Sequence, residues 1–243
     1  NIALPVDLAL HNGVASLTGK QLGPKTGDAA DFKSFQDLFD AFKQQTEHMM
    51  RGALWHANLA EKVKSEHWMA PLSSSVHPGT IEKGSDMTRG GLVHYRDWIM
   101  KDRAIVAAAD SLLAVKKLVF DNRKLSMQEL VQALDSDFSG ERGEKIRRLC
   151  LAAPKYGQEI DEADELVRDI GKFTGSVIKS AKNIWGYPFG IARDGHSWHF
   201  ANGKKLGALP SGRKAREPLP DGSLSPMSGI ETQGPTAVLN SAL

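Results

Sequence analysis

GALPSGRKAREPLPDGSLSPMSGIETQGPTAVLNSAL, running from Gly207 to Leu243, constrains the architecture of this 243-residue chain more tightly than any other segment. Pro210, Pro218, Pro220, Pro226 and Pro235 each fix a backbone angle and withhold a donor, so neither a long helix nor a central strand fits. The segment is also too weakly charged and too varied to favour disorder. Tertiary contacts have to hold it. Arg213 offers five fixed donors that can tie down carbonyls lacking regular partners, and the glycines permit turns that side chains would forbid. Lys214, Glu217 and Asp221 complete a charged cluster around Arg213, for which a structural role is expected. Asn240 and Ser241 are expected to satisfy nearby backbone groups.

Upstream of this tail, Ile191 to Phe200 reads as a strand, which would set Asp194, His196 and Trp198 on one face. Helix signals vanish from Ile184 onward. The chain therefore divides into a mainly helical portion with short strands, 1–183, and a strand with a Pro/Gly-rich tail, 184–243. In the first portion, Phe35, Leu38, Phe39, Phe42, Met49, Met50 and Ala53 recur at helical spacing and predict a long helix within 32–64, with Ser34 and Asp37 at its start. Between Trp68 and Thr88, Pro71, three consecutive serines, Pro78 and Gly79 suggest a short strand or loop leading to a helix start. Arg103 to Phe120 predicts a buried helix, and Ser126 with Glu129 a capping box for the next one. Glu141–Ala152 and Asp161–Lys182 add two amphipathic helices separated by Pro154 and Gly157. Helices alternating with short strands indicate the α/β class.

Bulk properties narrow the function. A net charge of +2, with Lys and Arg scattered among Asp and Glu, argues against a nucleic-acid partner. One cysteine excludes an internal disulfide framework and fits a reducing compartment. No apolar run approaches the roughly 18 residues of a membrane span, so a cytoplasmic location without membrane association is expected. The chain opens Asn-Ile-Ala-Leu-Pro and reads as an internal piece of a longer polypeptide.

Several motifs have plainer explanations than chemistry. Gly19 to Thr26 superficially suggests a phosphate loop, but the spacing is a residue short and Pro24 removes a donor where amides must face phosphate. Cys150, among apolar helix positions, is expected to be a small buried thiol. Arg147 and Arg148 could lower its pKa only by facing it. His196 and His199 point to opposite faces of an extended segment, a poor arrangement for a shared metal, and no metal site is expected.

Three further segments, TGKQLGPKTGD (Thr18–Asp28), IEKGSDMTRGGLVHY (Ile81–Tyr95) followed by ADSLLAVKKLVF (Ala109–Phe120), and APKYGQEIDEADEL (Ala153–Leu166), complete a pattern with the tail. In this order they resemble the pyruvate formate-lyase-like glycyl radical enzymes. The resemblance implies part of a ten-stranded α/β barrel, with the thiyl cysteine before Asn1 and the glycyl radical loop beyond Leu243. No catalytic residue and no bound cofactor would then lie in this chain, and Cys150 does not match the thiyl position. The resemblance also implies a small-molecule substrate, a separate iron–sulfur activating enzyme using S-adenosylmethionine, and a homo-oligomer. By the same likeness Asp194, His196 and Trp198 would line the substrate cavity, His11 would approach an aromatic substrate's hydroxyl, and Trp98 would contribute apolar wall. A dipole interaction at a helix end explains His11 equally, and core packing explains Trp98. These residues favour an arylacetate decarboxylase, with an arylsuccinate synthase or a glycerol/diol dehydratase-type lyase as alternatives. A non-catalytic structural module is the competing class.

Overall fold

The computed structural model describes residues 1–93, 99–195 and 197–243. Ten α-helices and four short strands are distinguished among them. In chain order the helices are α1 (Leu4–Leu10), α2 (Phe35–His67), α3 (Pro71–Ser74), α4 (Thr80–Lys83), α5 (Ile105–Val115), α6 (Met127–Asp135), α7 (Gly140–Ala152), α8 (Asp161–Ser180), α9 (Trp198–Gly203) and α10 (Pro235–Ala242). The strands are β1 (Val14–Ala15) and β2 (Lys20–Gln21), an antiparallel pair, and β3 (Ile99–Lys101) and β4 (Gly190–Ala192), a parallel pair. Two compact units result. The first comprises Asn1–Met49, Asp102–Thr174 and Arg193–Leu243, and the second Met50–Lys101 and Gly175–Ala192.

In the first unit every residue of α5 is buried, Asp110 and Ser111 among its otherwise apolar side chains, so this helix forms the centre of the unit. Ala104 and Ala107 pack with Ala3 from the chain's start and with Leu206, Leu209 and Leu219 from the tail. The chain continues past α5 as a π-helical stretch, Lys116–Asp121, where Lys116 and Lys117 both pair with Glu162 of α8. The Ser34/Asp37 start of α2 forms as expected, Asp37 accepting from the amides of Lys33 and Ser34 at 2.8 and 2.9 Å. The capping box of α6 also forms. Ser126 Oγ accepts from the Glu129 amide at 3.1 Å while Glu129 Oε2 accepts from the Ser126 amide at 2.9 Å. Ser126→Ala should cost about 1 kcal/mol of unfolding free energy, read by urea denaturation, with a change near zero arguing against a stabilising cap.

Two expectations are corrected by the structure. Of the strand or loop expected between Trp68 and Thr88, no strand forms: α3 and turns lead to the helix start at Thr80 and to a 3₁₀ turn at Met87–Arg89, because Asp86 gathers the amides of Ala70 and Thr88 and the hydroxyls of Ser74 and Thr88 into closed turns. The predicted strand Ile191–Phe200 stops at Ala192, and Trp198 begins a helix. Asp194 and Trp198 therefore do not alternate along one strand. Helices are also present after Ile184, α9 and α10, the latter opened by Pro235 in its first turn, where a missing amide costs nothing.

The tail is held as its composition requires. Arg213, 2% exposed, donates to the carbonyls of Gly207 at 2.8 Å, Gly203 at 2.9 Å and Pro218 at 3.3 Å, and also to that of Glu217. Arg147 of α7 donates to the Gly212 carbonyl, and Lys214 reaches Glu144. Asn240 donates to Glu159 and Ser241 accepts from its amide.

Candidate functional site

Two ion pairs and a strained backbone position lie where the chain leaves β3 and β4. Asp102 and Arg103 follow β3, and Arg193 and Asp194 follow β4. Asp102 is fully buried, and its Oδ2 accepts from Thr174 Oγ1 at 2.7 Å and Arg193 Nη2 at 3.0 Å. Burial raises this carboxyl's pKa, opposed by the Thr174 hydrogen bond and the Arg193 charge. Arg193 also donates to the Gly171 carbonyl at 2.7 Å, lying against α8 where the helix has no side chain. One residue on, Arg103 Nη2 stands 3.9 Å from Asp194 Oδ1.

The backbone beside these pairs is strained. Ala104 sits at φ 63°, in the left-handed region that ordinary residues avoid, and its amide donates to Gly222. Gly222, at φ 69°, is pressed against the other segment: a Cβ there would come within 2.6 Å of the Asp194 carbonyl oxygen. Strain of this sort persists only where the surroundings over-determine the conformation, and it collects at functional sites.

Beyond Asp194 the chain turns into α9. Trp198 and Phe200 are about half exposed, at 53% and 54%, and Asp194 is partly exposed. His199 lies 3.3 Å from Asp221 and tilts against Phe200 at 4.1 Å between ring centres. Trp98 and His196 lie outside the described residues.

His11 stands apart from this cluster, capping the C-terminal end of α1. Its Nδ1 meets the Asp7 carbonyl at 2.7 Å and Asp7 Oδ1 at 3.0 Å, and its Nε2 meets Asp135 Oδ1 at 3.0 Å. Both ring nitrogens are engaged within the protein. Burial pulls the imidazolium's pKa down, but the Asp7 hydrogen bonds and charge, with Asp135 behind them, lift it to about 9. A folded pKa above the ordinary 6.5 gives stability that is complete below 6.5 and is lost as pH rises through 9. About 1–3 kcal/mol is expected, after discounting for the exposure of Asp135. Urea unfolding at pH 6, 8 and 10 should show this decline, and His11→Asn should flatten it.

Cys150 is fully buried, and burial pushes its thiol up to about 11, opposed by the Lys155 charge. Arg147 is spent on the tail. Such a thiol is inert. Nearby, Lys155, 2% exposed, donates to the carbonyls of Cys150 and Ala153 at 2.7 and 2.8 Å, and Asp110, fully buried, accepts from the Tyr156 amide at 2.9 Å. Sequence reasoning did not single out Asp102, Arg193, Asp110 or Lys155. Among the described residues, no group of three or more His, Cys, Asp or Glu side chains could hold a metal ion, and no helix is long and apolar enough to cross a membrane.

The family model for pyruvate formate lyase-like proteins matches residues 1–192. The trans-4-hydroxy-L-proline dehydratase of Clostridioides difficile is 35% identical over 241 residues, covering 99% of this chain and 30% of that protein. Its substrate-bound structure superposes with a TM-score of 0.92 at 34% identity, covering 99% of this chain and 30% of that one. The isethionate sulfite-lyase of Bilophila wadsworthia is 34% identical over 245 residues, 98% of this chain and 29% of the relative. The glycerol-bound, B12-independent glycerol dehydratase of Clostridium butyricum superposes at 0.89 with 33% identity, over 99% of this chain and 30% of that one. The chain thus spans about 30% of the length of these relatives and has the mixed α/β fold of the matching portion of their larger barrel. On the family model, the relatives and the superpositions alike, this chain belongs to the pyruvate formate lyase-like family of glycyl radical enzymes.

Proposed function

We propose that this chain supplies part of the barrel wall of a glycyl radical lyase that removes a group from a small hydroxylated substrate, in the manner of the dehydratases. The observation that carries this reading is the match of nearly the whole chain to two dehydratases whose structures hold a hydroxylated substrate. Asp194 and Trp198 are the described residues proposed to line the chamber; His196 and Trp98, proposed for the same role, lie outside the described residues. Asp194 would accept a hydrogen bond from a substrate hydroxyl, and Trp198 would exclude water from the reacting centre.

The assignment of His11 to a substrate's phenolic hydroxyl needs a free imidazole. His11 has both nitrogens occupied by Asp7 and Asp135, which removes the support this residue lent to a phenolic substrate.

The family's chemistry is carried by a glycyl radical and a thiyl cysteine. Cys150 is not assigned the thiyl role, because it does not match the position of the family's cysteine segment. No hydrogen-abstraction step is assigned to residues of this chain. Its own contribution is to enclose, orient and keep dry. The reacting residues are proposed to lie in polypeptide outside Asn1 and Leu243. Installation of the radical is assigned to an iron–sulfur activating enzyme using S-adenosylmethionine, and the assembled protein is proposed to be a cytoplasmic homo-oligomer.

The test is anaerobic activation of the longer polypeptide followed by electron spin resonance and a panel of diols, hydroxylated amino acids, hydroxyalkyl sulfonates and aryl acetates. A glycyl doublet with turnover of a hydroxylated substrate is expected. A doublet with turnover of aryl acetates alone would restore the decarboxylase. Absence of the doublet would favour a non-catalytic module.

A further inference from the structure

The pairs Asp102–Arg193 and Arg103–Asp194 repeat a pattern already set by the strands before them. β3 and β4 pair in parallel with Ile99 opposite Gly190, Met100 opposite Ile191 and Lys101 opposite Ala192. Continued past the last ladder partners, the same offset sets Asp102 opposite Arg193 and Arg103 opposite Asp194, the two ion pairs observed. The sequence thus carries Asp-Arg after one strand and Arg-Asp after the other, complementary only in this register. A slip by one residue would oppose Asp102 to Asp194 or Arg103 to Arg193, and like charges directly opposite are destabilising.

The two pairs are unequal. Asp102 is fully buried and bonded to Thr174 as well as Arg193, whereas Asp194 is partly exposed and meets Arg103 at the longer distance of 3.9 Å. Arg193 has a second anchor in the Gly171 carbonyl. The inner pair is fixed from several sides and the outer pair depends on it.

We propose that Asp102 and Arg193 are positioning residues: they lock the register past β3 and β4 and thereby hold Asp194 opposite Arg103, aimed for contact with substrate. The functional half of this inference rests on Asp194 lining the chamber. The register lock stands on the geometry alone.

Two readouts separate these parts. Arg193→Met leaves a buried carboxylate without its cation, so the melting temperature should fall. Hydrogen exchange at the amides of 190–192 and Ala104 should quicken at least about 10-fold relative to those of α5. Adding Asp102→Asn removes the stranded charge and should restore the melting temperature while the faster local exchange remains. In the activated enzyme the double variant should raise KM about 10-fold with kcat changed less than about 3-fold, and Arg193→Lys should recover part of the loss. Wild-type exchange at these amides in the refolded double variant would overturn the lock. An unchanged KM, with exchange raised, would overturn the positioning of Asp194. Hydrogen exchange needs no turnover, so a wild-type enzyme inactive on every hydroxylated substrate would count against the proposed function and leave the lock to be judged separately.

Discussion

Replacing Arg213 with methionine should cost about 3–5 kcal/mol of unfolding free energy, since it removes a buried side chain that donates to several carbonyls at once and leaves buried acceptors unsatisfied. The side chain is 2% exposed and donates to the carbonyls of Gly203, at the end of α9, and of Gly207, Glu217 and Pro218 in the irregular segment that follows. Burial lowers the guanidinium's pKa to about 10, opposed by Glu217 and Asp137, so it stays charged at neutral pH. Arg213→Lys should recover little, because one ammonium cannot reproduce a planar fork reaching several carbonyls at once. Urea unfolding measures the loss, and limited proteolysis should show early cleavage between 203 and 234. A lysine variant as stable as the parent would show that charge alone, not the fork, holds the tail.

Lys155→Met should cost a similar amount, about 3–5 kcal/mol, at pH 8 and clearly less at pH 5.5. Two contributions are involved. Lys155 closes the C-terminal end of α7 by donating to the carbonyls of Cys150 and Ala153, a loss that does not depend on pH in this range. It also supplies the positive charge that offsets the burial of Asp110. Burial raises Asp110 to about 7, opposed by the Tyr156 hydrogen bond and Lys155. A carboxyl with a raised folded pKa contributes stability that is complete below its ordinary 3.8 and is lost as pH rises through about 7. Without Lys155 the folded value climbs further and the loss deepens, so the penalty grows with pH. Adding Asp110→Asn should remove the pH-dependent part while still accepting from the Tyr156 amide. An equal penalty at both pH values would mean that Asp110 does not sense Lys155.

Much of the helical frame was legible because its signals are local. The apolar spacing from Phe35, the Ser34/Asp37 start and the Ser126/Glu129 capping box each need only neighbouring residues, and each appears in the structure. The short helix α9 was hidden, since Trp198, His199 and Phe200 favour a strand by composition and their helical turn is set by packing against Leu219 and Asp221. α10 carried a visible sign, Gly234-Pro235 ahead of Thr-Ala-Val-Leu, which was obscured by the prolines before it.

The candidate site was legible only in part. Asp194 and Trp198 were named, though their shared strand is absent. The ion pairs that surround Asp194 depend on a strand register that no local pattern reveals, and the complementary Asp102-Arg103 and Arg193-Asp194 couplets gain meaning only once that register is known. Lys155 and Asp110 escaped notice for the opposite reason: each sits in an unremarkable run, and burial alone makes the influence of one charge on the other consequential.

The parallel pairing of Ile99–Lys101 with Gly190–Ala192 also bears on how the molecule reaches its native state. Its partners are far apart along the chain, so the entropy of closing that loop is lost before three residue pairs can return anything. The helices between them can form early from near neighbours. The ladder must then close late, and until it does its unpaired edges are open to the wrong partner, which makes the interval before strand closure the moment at which this protein is most prone to aggregate.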